Sequence, residues 1–340
     1  MAKKISISDI AAALNISKTT ISFIINGKAK EKRISDILTE KVRRYIEEND
    51  YKPSQLAQSL STGKTMTIGL MVEKISDYFF AQMAYHIEEL AYQSGYKILY
   101  CSTDNDVEKA RDLIQLFRDR HVDGYIITPT AGMEKDIQDL IDSGLPVVLF
   151  DRFYKDVESS YVILDNYKAS YNAAKYLAEK KFKNIAFIEL ENEQSQMKDR
   201  RLGYEKAIHE HQLKVIIEKV PYANDATQTV KQLIKFLKQN KQIDAMYFAT
   251  NYLAFSGIKA LNQLGYKIPG TMAIIAFDDH QVFDFYAPTI TAVAQPISEL
   301  ARQSIKVLLS MLDKPKEHRQ IQKVIVPAHF IIRDSTSLEG

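Results

Sequence analysis

Between residues 66 and 277, short apolar runs follow one another: MTIGLMV (66–72), YKILYCS (96–102), GYIIT (124–128), PVVLF (146–150), VILD (162–165), NIAFIEL (184–190), VIIEKV (215–220), AMYFAT (245–250) and MAIIAF (272–277). Stretches with helical spacing separate them. Apolar runs without polar alternation are strands buried on both faces, and strands that alternate with helices build parallel sheets with helices on either side. Nine such units are too many for one compact sheet. The spacing therefore predicts two similar doubly wound α/β halves, with a ligand held between them at the carboxyl ends of the strands.

The first 50 residues follow a different rhythm. In SDIAAALNISKTTISFIIN (8–26), apolar positions Ile10, Ala11 and Leu14 are followed by Ile21, Ile24 and Ile25, with Asn15-Ile16-Ser17 between them. That is a helix, a short turn and a second helix. Ser8 is expected to cap the first and Ser17 the second, since a hydroxyl oxygen accepts a free amide at a helix start. A third amphipathic stretch at 40–49 places Val42, Tyr45 and Ile46 on one face. Pro53 then opens PSQLAQSLSTG, a turn or two of helix inside a linker closed by Gly63.

Charge separates the same two regions. Up to Thr65 there are 12 Lys/Arg against 7 Asp/Glu; beyond it, 33 against 36. An excess of +5 confined to a small helical unit suits a polyanion, although an ordinary solvated helical face has the same look. In the helix-turn-helix motif the second helix lies in the major groove, its first exposed residues touching base edges while basic flanks hold phosphates. Lys18, Thr19, Thr20 and Ser22 are the exposed polar positions of that helix, and Lys28, Lys30, Lys32 and Arg33 form the basic flank.

Here the chain resembles the lactose/galactose repressor family of bacterial transcription regulators. The resemblance runs over nearly the whole length, through ISDIAAALNISKTTISFIING, then KVRRYIEENDYKPSQLAQSL, then the strand MTIGLMV. It implies a three-helix DNA-binding domain at 1–50, a hinge helix and linker at 51–64, and a periplasmic-binding-protein-like α/β effector and dimerisation domain at 65–340. Within the last, an N-subdomain is expected at 65–163 and 296–322 and a C-subdomain at 164–295 and 323–340. The resemblance also implies that Lys18 and Thr19 read bases, and that Ser17, Thr20 and Asn26 position the helix on the backbone. Hinge helices from a dimer would enter the minor groove, where Leu60 wedges a base step open and Ala57 allows close approach; such a wedge kinks DNA at a cost of a few kcal/mol, offset by added contacts. At one base-reading position Phe23 stands where many members carry arginine. Phenylalanine cannot grip guanine in two places, so it either contacts a thymine methyl or packs.

For the effector site the resemblance implicates Asp151 and Arg152 in LPVVLFDR, Arg200 three residues before Gly203 in MKDRRLGY, Asn251 in FATN, Asp278 in AFDD and Gln295 in TAVAQP. Phe79 and Phe80 match an aromatic pair that stacks on a ring or packs in the core, and Asp77 lies beside them. Carboxylates accept from adjacent hydroxyls, arginine donates in a fork and amides do both. Such a set suits a polyol and penalises any ligand lacking a hydroxyl. Tyr252 follows Asn251 where an aspartate is common, and Phe153-Tyr154 stand at positions that vary with ligand, so an aromatic wall and a disaccharide are compatible with the sequence.

Other chemistry finds little footing. Cys101 is the only cysteine, which excludes a disulfide framework and a cysteine metal cluster. Gly63-Lys64-Thr65 imitates the end of a P-loop but lacks its earlier glycine, His209-x-His211 has no further ligand at matching spacing, and Ser256-Gly257 lacks the first glycine of a nucleophile elbow. No apolar stretch approaches the roughly 18 residues of a membrane span, and no signal-peptide pattern opens the chain. The expectation is a cytoplasmic, effector-controlled repressor, not an enzyme and without cofactor or metal. It would act as a homodimer on palindromic double-stranded operator DNA, with a sugar as effector. No apolar heptads follow the last strand, which favours a dimer over a tetramer. A binding protein of the periplasmic class that carries sugar without touching DNA is the competing expectation.

Overall fold

The computed structural model describes residues 5–51, 59, 62–222 and 225–337. They form two compact units, one of residues up to Thr67 together with His121–Asp123, the other of the rest.

In the first unit lie α1 (Ile7–Leu14), α2 (Lys18–Ile25) and α3 (Asp36–Glu48). The cap of α1 is Ser6 rather than Ser8: its side chain accepts from the Asp9 amide while the Asp9 carboxylate accepts from the Ser6 amide, a reciprocal box that Ser8, already inside the helix, cannot make. Asn15 ends the helix in the left-handed region at φ 52°, which its short polar side chain tolerates. Ser17 caps α2 as expected. The third helix begins four residues before the amphipathic stretch, at Asp36, because Ser35 caps it. Ile10, Ile21, Ile24 and Val42 close a small core with Leu14, Leu38, Tyr45 and Ile46 packed around them. The hinge residues Ala57 and Leu60 lie outside the described residues.

The second unit holds two six-stranded sheets. The first contains β1 (Thr67–Val72), β2 (Lys97–Ser102), β3 (Gly124–Ile127), β4 (Val147–Phe150), β5 (Ser160–Leu164) and β11 (Lys323–Val326), in the order β2-β1-β3-β4-β5-β11. The second contains β6 (Ile185–Leu190), β7 (Ile216–Val220), β8 (Ala245–Phe248), β9 (Ala273–Phe277), β10 (Thr291–Ala294) and β12 (His329–Ile331), in the order β7-β6-β8-β9-β10-β12. Strand order reverses at β1 in one and β6 in the other, the switch point where doubly wound sheets open a crevice. The sheets differ at one edge, where β11 runs parallel to β5 but β12 runs antiparallel to β10.

Helices α4 (Tyr78–Gln93), α5 (Val107–Asp119) and α6 (Glu134–Asp142) connect the first sheet; α7 (Asn166–Glu179), α8 (Ser195–Glu210), α9 (Ala226–Gln239), α10 (Asn251–Leu264) and the single turn α11 (Val282–Phe285) connect the second. Helix α12 (Ile297–Leu312) returns to the first half, burying Leu300, Ile305 and Leu308 in its core. One boundary needs correction. The chain was expected to rejoin the second half at 323, yet Lys323–Val326 pairs residue for residue with Tyr161–Leu164, so the last crossing comes after Val326. A short edge strand with Lys323 and Ile325 facing solvent carries too weak a pattern to be assigned from sequence.

Candidate effector chamber and DNA-reading helix

On α2, Lys18 and Thr19 are exposed at the first turn. The Ser17 hydroxyl oxygen accepts from the Thr20 amide at 3.0 Å and lies 2.8 Å from the Thr20 hydroxyl. Ser22 accepts from the Asn26 side-chain amide at 3.3 Å. Phe23, half-buried, carries the Lys32 ammonium 5.5 Å above its ring, and Lys32 also pairs with Glu31 at 2.9 Å. Lys28, Lys30 and Arg33 are exposed on the following loop.

In the second unit, Asp77, Phe79, Phe80, Asp151, Arg152, Arg200, Asn251, Asp278 and Gln295 all line one cavity of about 250 Å³. Asp151, Arg152, Asp278 and Gln295 follow directly on β4, β9 and β10, and Asp77 lies in the loop after β1. Phe79 and Phe80, Arg200 and Asn251 are carried on α4, α8 and α10. Asp77 caps α4, accepting from the Phe79 amide at 2.9 Å and, more weakly, from the Phe80 amide at 3.5 Å. Burial and the neighbouring Asp278 raise its carboxyl to about 6 despite those amides. Phe79 and Phe80 are both buried, meeting edge-on at 5.1 Å, and Phe80 meets Phe150 in the core at 6.3 Å.

Asp151 follows β4, and burial pushes it up to about 6 against the pull of Arg152 and Arg200. Arg152 donates from Nη1 to Glu73 and to Gln194, both at 2.9 Å, from Nη2 to Asn105 at 2.7 Å and from Nε to the Pro129 carbonyl at 2.7 Å. Gln194 stands at the start of α8 while the other three acceptors belong to the first half, so this guanidinium fastens the two halves together. Of its five N–H groups, one on Nη2 is left for a ligand.

Arg200 is 2% exposed and lies 3.6 Å over the Phe277 ring. It donates to Asn166 at 2.9 Å and to the Ala249 carbonyl at 2.6 Å, with the Asp278 carboxylate 3.6 Å away. Its helix is seated by Gly203, where a Cβ would come within 2.2 Å of the Tyr167 carbonyl, so α7 and α8 pack backbone to backbone. Asp278 takes a hydrogen bond from the Gln295 amide at 2.6 Å. Asn251 opens α10 behind the capping hydroxyl of Thr250.

Of the other lining residues only Tyr252 is marked by the sequence; Glu73, Gln194, Gln196 and Tyr222 are not. Glu73 directly follows β1, a strand-end position that the crevice rule points to. Gln194 and Gln196 sit in the polar run ENEQSQ after β6, and the Gln196 carbonyl oxygen is buried without a hydrogen-bond partner. Tyr222 and Tyr252 form an aromatic wall, crossing edge-to-face with centroids 6.5 Å apart. Phe153 and Tyr154 are not part of it: Phe153 stacks on Tyr161 at 4.5 Å and the Tyr154 hydroxyl donates to the Thr130 carbonyl. The His211 Nδ1–H donates to the Ala207 carbonyl at its own helix end, and Ser256 donates to the Tyr252 carbonyl. Among the described residues, no group of three or more His, Cys, Asp or Glu side chains could hold a metal ion, and no helix is long and apolar enough to cross a membrane.

Four carboxylates, Glu73, Asp77, Asp151 and Asp278, thus outnumber two arginines, of which Arg152 has four of its five N–H groups engaged within the protein. Such a chamber welcomes hydroxyl donors and repels anions.

Residues 6–54 match the family of bacterial regulatory proteins, lacI family, and residues 65–334 match periplasmic binding proteins and sugar binding domain of LacI family. The chain is 27% identical over 318 residues to the HTH-type transcriptional repressor PurR of Vibrio campbellii, covering 93% of this chain and 94% of that protein. It is 27% identical over 331 residues to the ribose operon repressor of Halalkalibacterium halodurans, covering 97% of each. A LacI-type regulator from Alkaliphilus metalliredigens QYMF, solved with D-xylulofuranose, superposes with a TM-score of 0.70 at 26% identity, over 80% of this chain and 100% of that one. With both units matched and the strand-end chamber in place, the chain belongs to the LacI family of bacterial regulatory proteins, DNA-binding transcriptional regulators controlled through an effector domain.

Proposed function

We propose that the protein is a transcriptional repressor whose operator affinity is set by an effector that places a neutral sugar ring, of pentose or hexose size, in the chamber lined by Asp151, Arg200 and Asp278. The observation that carries this reading is the convergence of two strand-end carboxylates, two guanidiniums and the amides of Asn251 and Gln295 on one small space. Each sugar hydroxyl can meet a donor and an acceptor there, and a ligand lacking one leaves a buried polar group unpaired. A volume of about 250 Å³ falls below the range for drug-sized ligands and suits one ring. Relatives named for ribose and solved with D-xylulofuranose support a five-carbon sugar. The carboxylate excess disfavours phosphorylated ligands.

On the DNA side, Lys18 and Thr19 contact base edges, the exposed loop lysines hold phosphates, and Ala57 and Leu60 serve in the minor groove. The protein acts in the cytoplasm as a homodimer on a two-fold symmetric operator, without catalysis. Closure of the two halves on sugar changes the dimer's hold on its hinges, and a ~100-fold response needs roughly 2.7 kcal/mol of coupling. The test is selection of bound duplexes from a random pool by the full-length protein at near-physiological salt, with and without D-ribose, D-xylulose, D-xylose or D-glucose. A symmetric motif whose occupancy one sugar changes is the expected result; binding that fades with salt and responds to no sugar overturns the reading.

A further inference from the structure

A second cavity, also about 250 Å³, adjoins the first. The two share Glu73, Asp77, Leu190, Tyr222 and Tyr252, so the crossed tyrosines stand at a neck between them. Beyond the neck the walls are mixed. Pro221, Ala226 and Leu253 are apolar, while Ser76, Thr229 and Ser256 carry hydroxyls and Lys74 supplies a cation. By liquid density this space would take about eight waters, yet much of its wall offers them no hydrogen bond. Room for a ring, aromatic faces at the entrance and polar groups at intervals are what the two-faced surface of a second sugar or of a planar ring requires.

We infer that the effector has two rings: a sugar in the first chamber, joined through the Tyr222–Tyr252 neck to a second ring in the adjoining chamber. This deepens the proposed function and rests on its placement of a sugar beside Asp278. The second ring is either another sugar, as in a disaccharide, or a heterocycle, as in a nucleoside; both fill the space and leave the first ring's hydroxyl contacts unchanged.

The experiment is calorimetric titration of the full-length protein with D-ribose, adenosine, uridine, D-glucose, D-xylose, maltose, cellobiose and xylobiose. One two-ring compound is expected to bind at least tenfold tighter than its own one-ring sugar, and whether it is a nucleoside or a disaccharide identifies the second ring. Ala226 lies at the exposed start of α9 and lines only the second chamber. Ala226→Trp should fill that chamber and lower the two-ring affinity to the one-ring level while one-ring affinity stays within twofold. Thr229→Leu, a smaller intrusion, gives the same sign if the tryptophan variant folds poorly. A one-ring sugar that binds as tightly as every two-ring partner, with both variants inert, overturns the inference but leaves the sugar reading standing. Failure of all eight compounds, or sugar binding unaffected in Asp278→Ala, overturns that reading and this inference with it.

Discussion

Asp151 and Asp278 hold the same station in the two halves. One follows β4 and the other β9, their backbones lie in the left-handed region at φ 69° and 67°, and their amides donate to Val162 on β5 at 3.3 Å and Val293 on β10 at 2.9 Å. Left-handed backbone costs a residue with a side chain on the order of 1–3 kcal/mol, least for Asp and Asn. Spent twice at strand ends, it turns both carboxylates into the chamber.

Asp278→Asn keeps that backbone and an acceptor for Gln295 while removing the charge. Hydrogen bonds to a charged group are worth about 1.5–3 kcal/mol, so sugar affinity should fall roughly tenfold or more. Titration of effector and of operator DNA on the same preparation checks this. Operator affinity without effector should stay within about twofold, and an unchanged sugar isotherm would remove Asp278 from the site.

Asp77 and Asp151 both rise to about 6 from 3.8 through burial. A folded-state carboxyl pKa above the unfolded value means the folded protein binds the extra proton. The stability from these two groups is present in full below pH 3.8 and is lost as pH rises through about 6. Sugar hydroxyls favour the ionised form, so effector affinity should climb over that same window and level off above it. Asp151→Asn should remove its share of both curves and leave that of Asp77, measured by thermal unfolding and by titration at a series of pH values.

Among the described residues, Gln194 is the one hydrogen-bond partner of Arg152 from the second half. Gln194→Ala should weaken effector binding about tenfold, since closure loses a charge-assisted hydrogen bond, with little change in the melting temperature of the sugar-free protein. Arg152→Ala strips Glu73 of its partner in a confined space and should destabilise the fold itself by about 3 kcal/mol or more, read from urea unfolding.

Gly203→Ala pushes a methyl group into the Tyr167 carbonyl and the Tyr171 amide, backbone atoms that move only if α7 and α8 separate. Overpacking of this kind costs typically 1–3 kcal/mol. A loss in that range by urea unfolding, with sugar affinity falling as Arg200 shifts, is the expected pair of results.

On the DNA face, Lys18→Ala should lower operator affinity by about 1–3 kcal/mol and relax preference at one position in each half-site. Lys30→Ala should weaken all sequences alike and reduce the salt slope by about one. Fluorescence anisotropy on operator and scrambled duplexes across a salt series separates the two behaviours.

Much of this architecture was legible because buried parallel strands announce themselves. VVLF and AIIAF have no polar residue to mistake, and each delivers its aspartate to the crevice by position alone. The edge strands were harder. HFI and KVIV are half-exposed, short, and set by pairing with β10 and β5 rather than by their own pattern. Ser6 was passed over as a cap because Ser8 looks equivalent in sequence, and only the reciprocal bond with Asp9 decides between them. Within the chamber, residues with family counterparts were found, whereas Gln194 and Gln196 come from the start of α8 and Tyr222 from the loop after β7, positions that no motif marks. Phe153 and Tyr154 went the other way: they stand at positions that vary with ligand, which suggested a ligand wall, but the Tyr161 ring and the Thr130 carbonyl claimed them.

The return of α12 and β11 to the first half bears on the order in which the newborn chain can fold. Ribosomes release residues at about 5–20 per second, and ordinarily the earlier domain folds first. Here the first sheet cannot be finished early, because the helix that covers Ile126 and Val148 and the strand that closes its edge both come from residues 297–326. From beyond that point the second half takes only an edge, β12 and the turn at Asp334–Thr336 that packs on β9 and β10, so most of its sheet and helices are already made while the first half still exposes apolar surface. The half made first is thereby left waiting for the half made second.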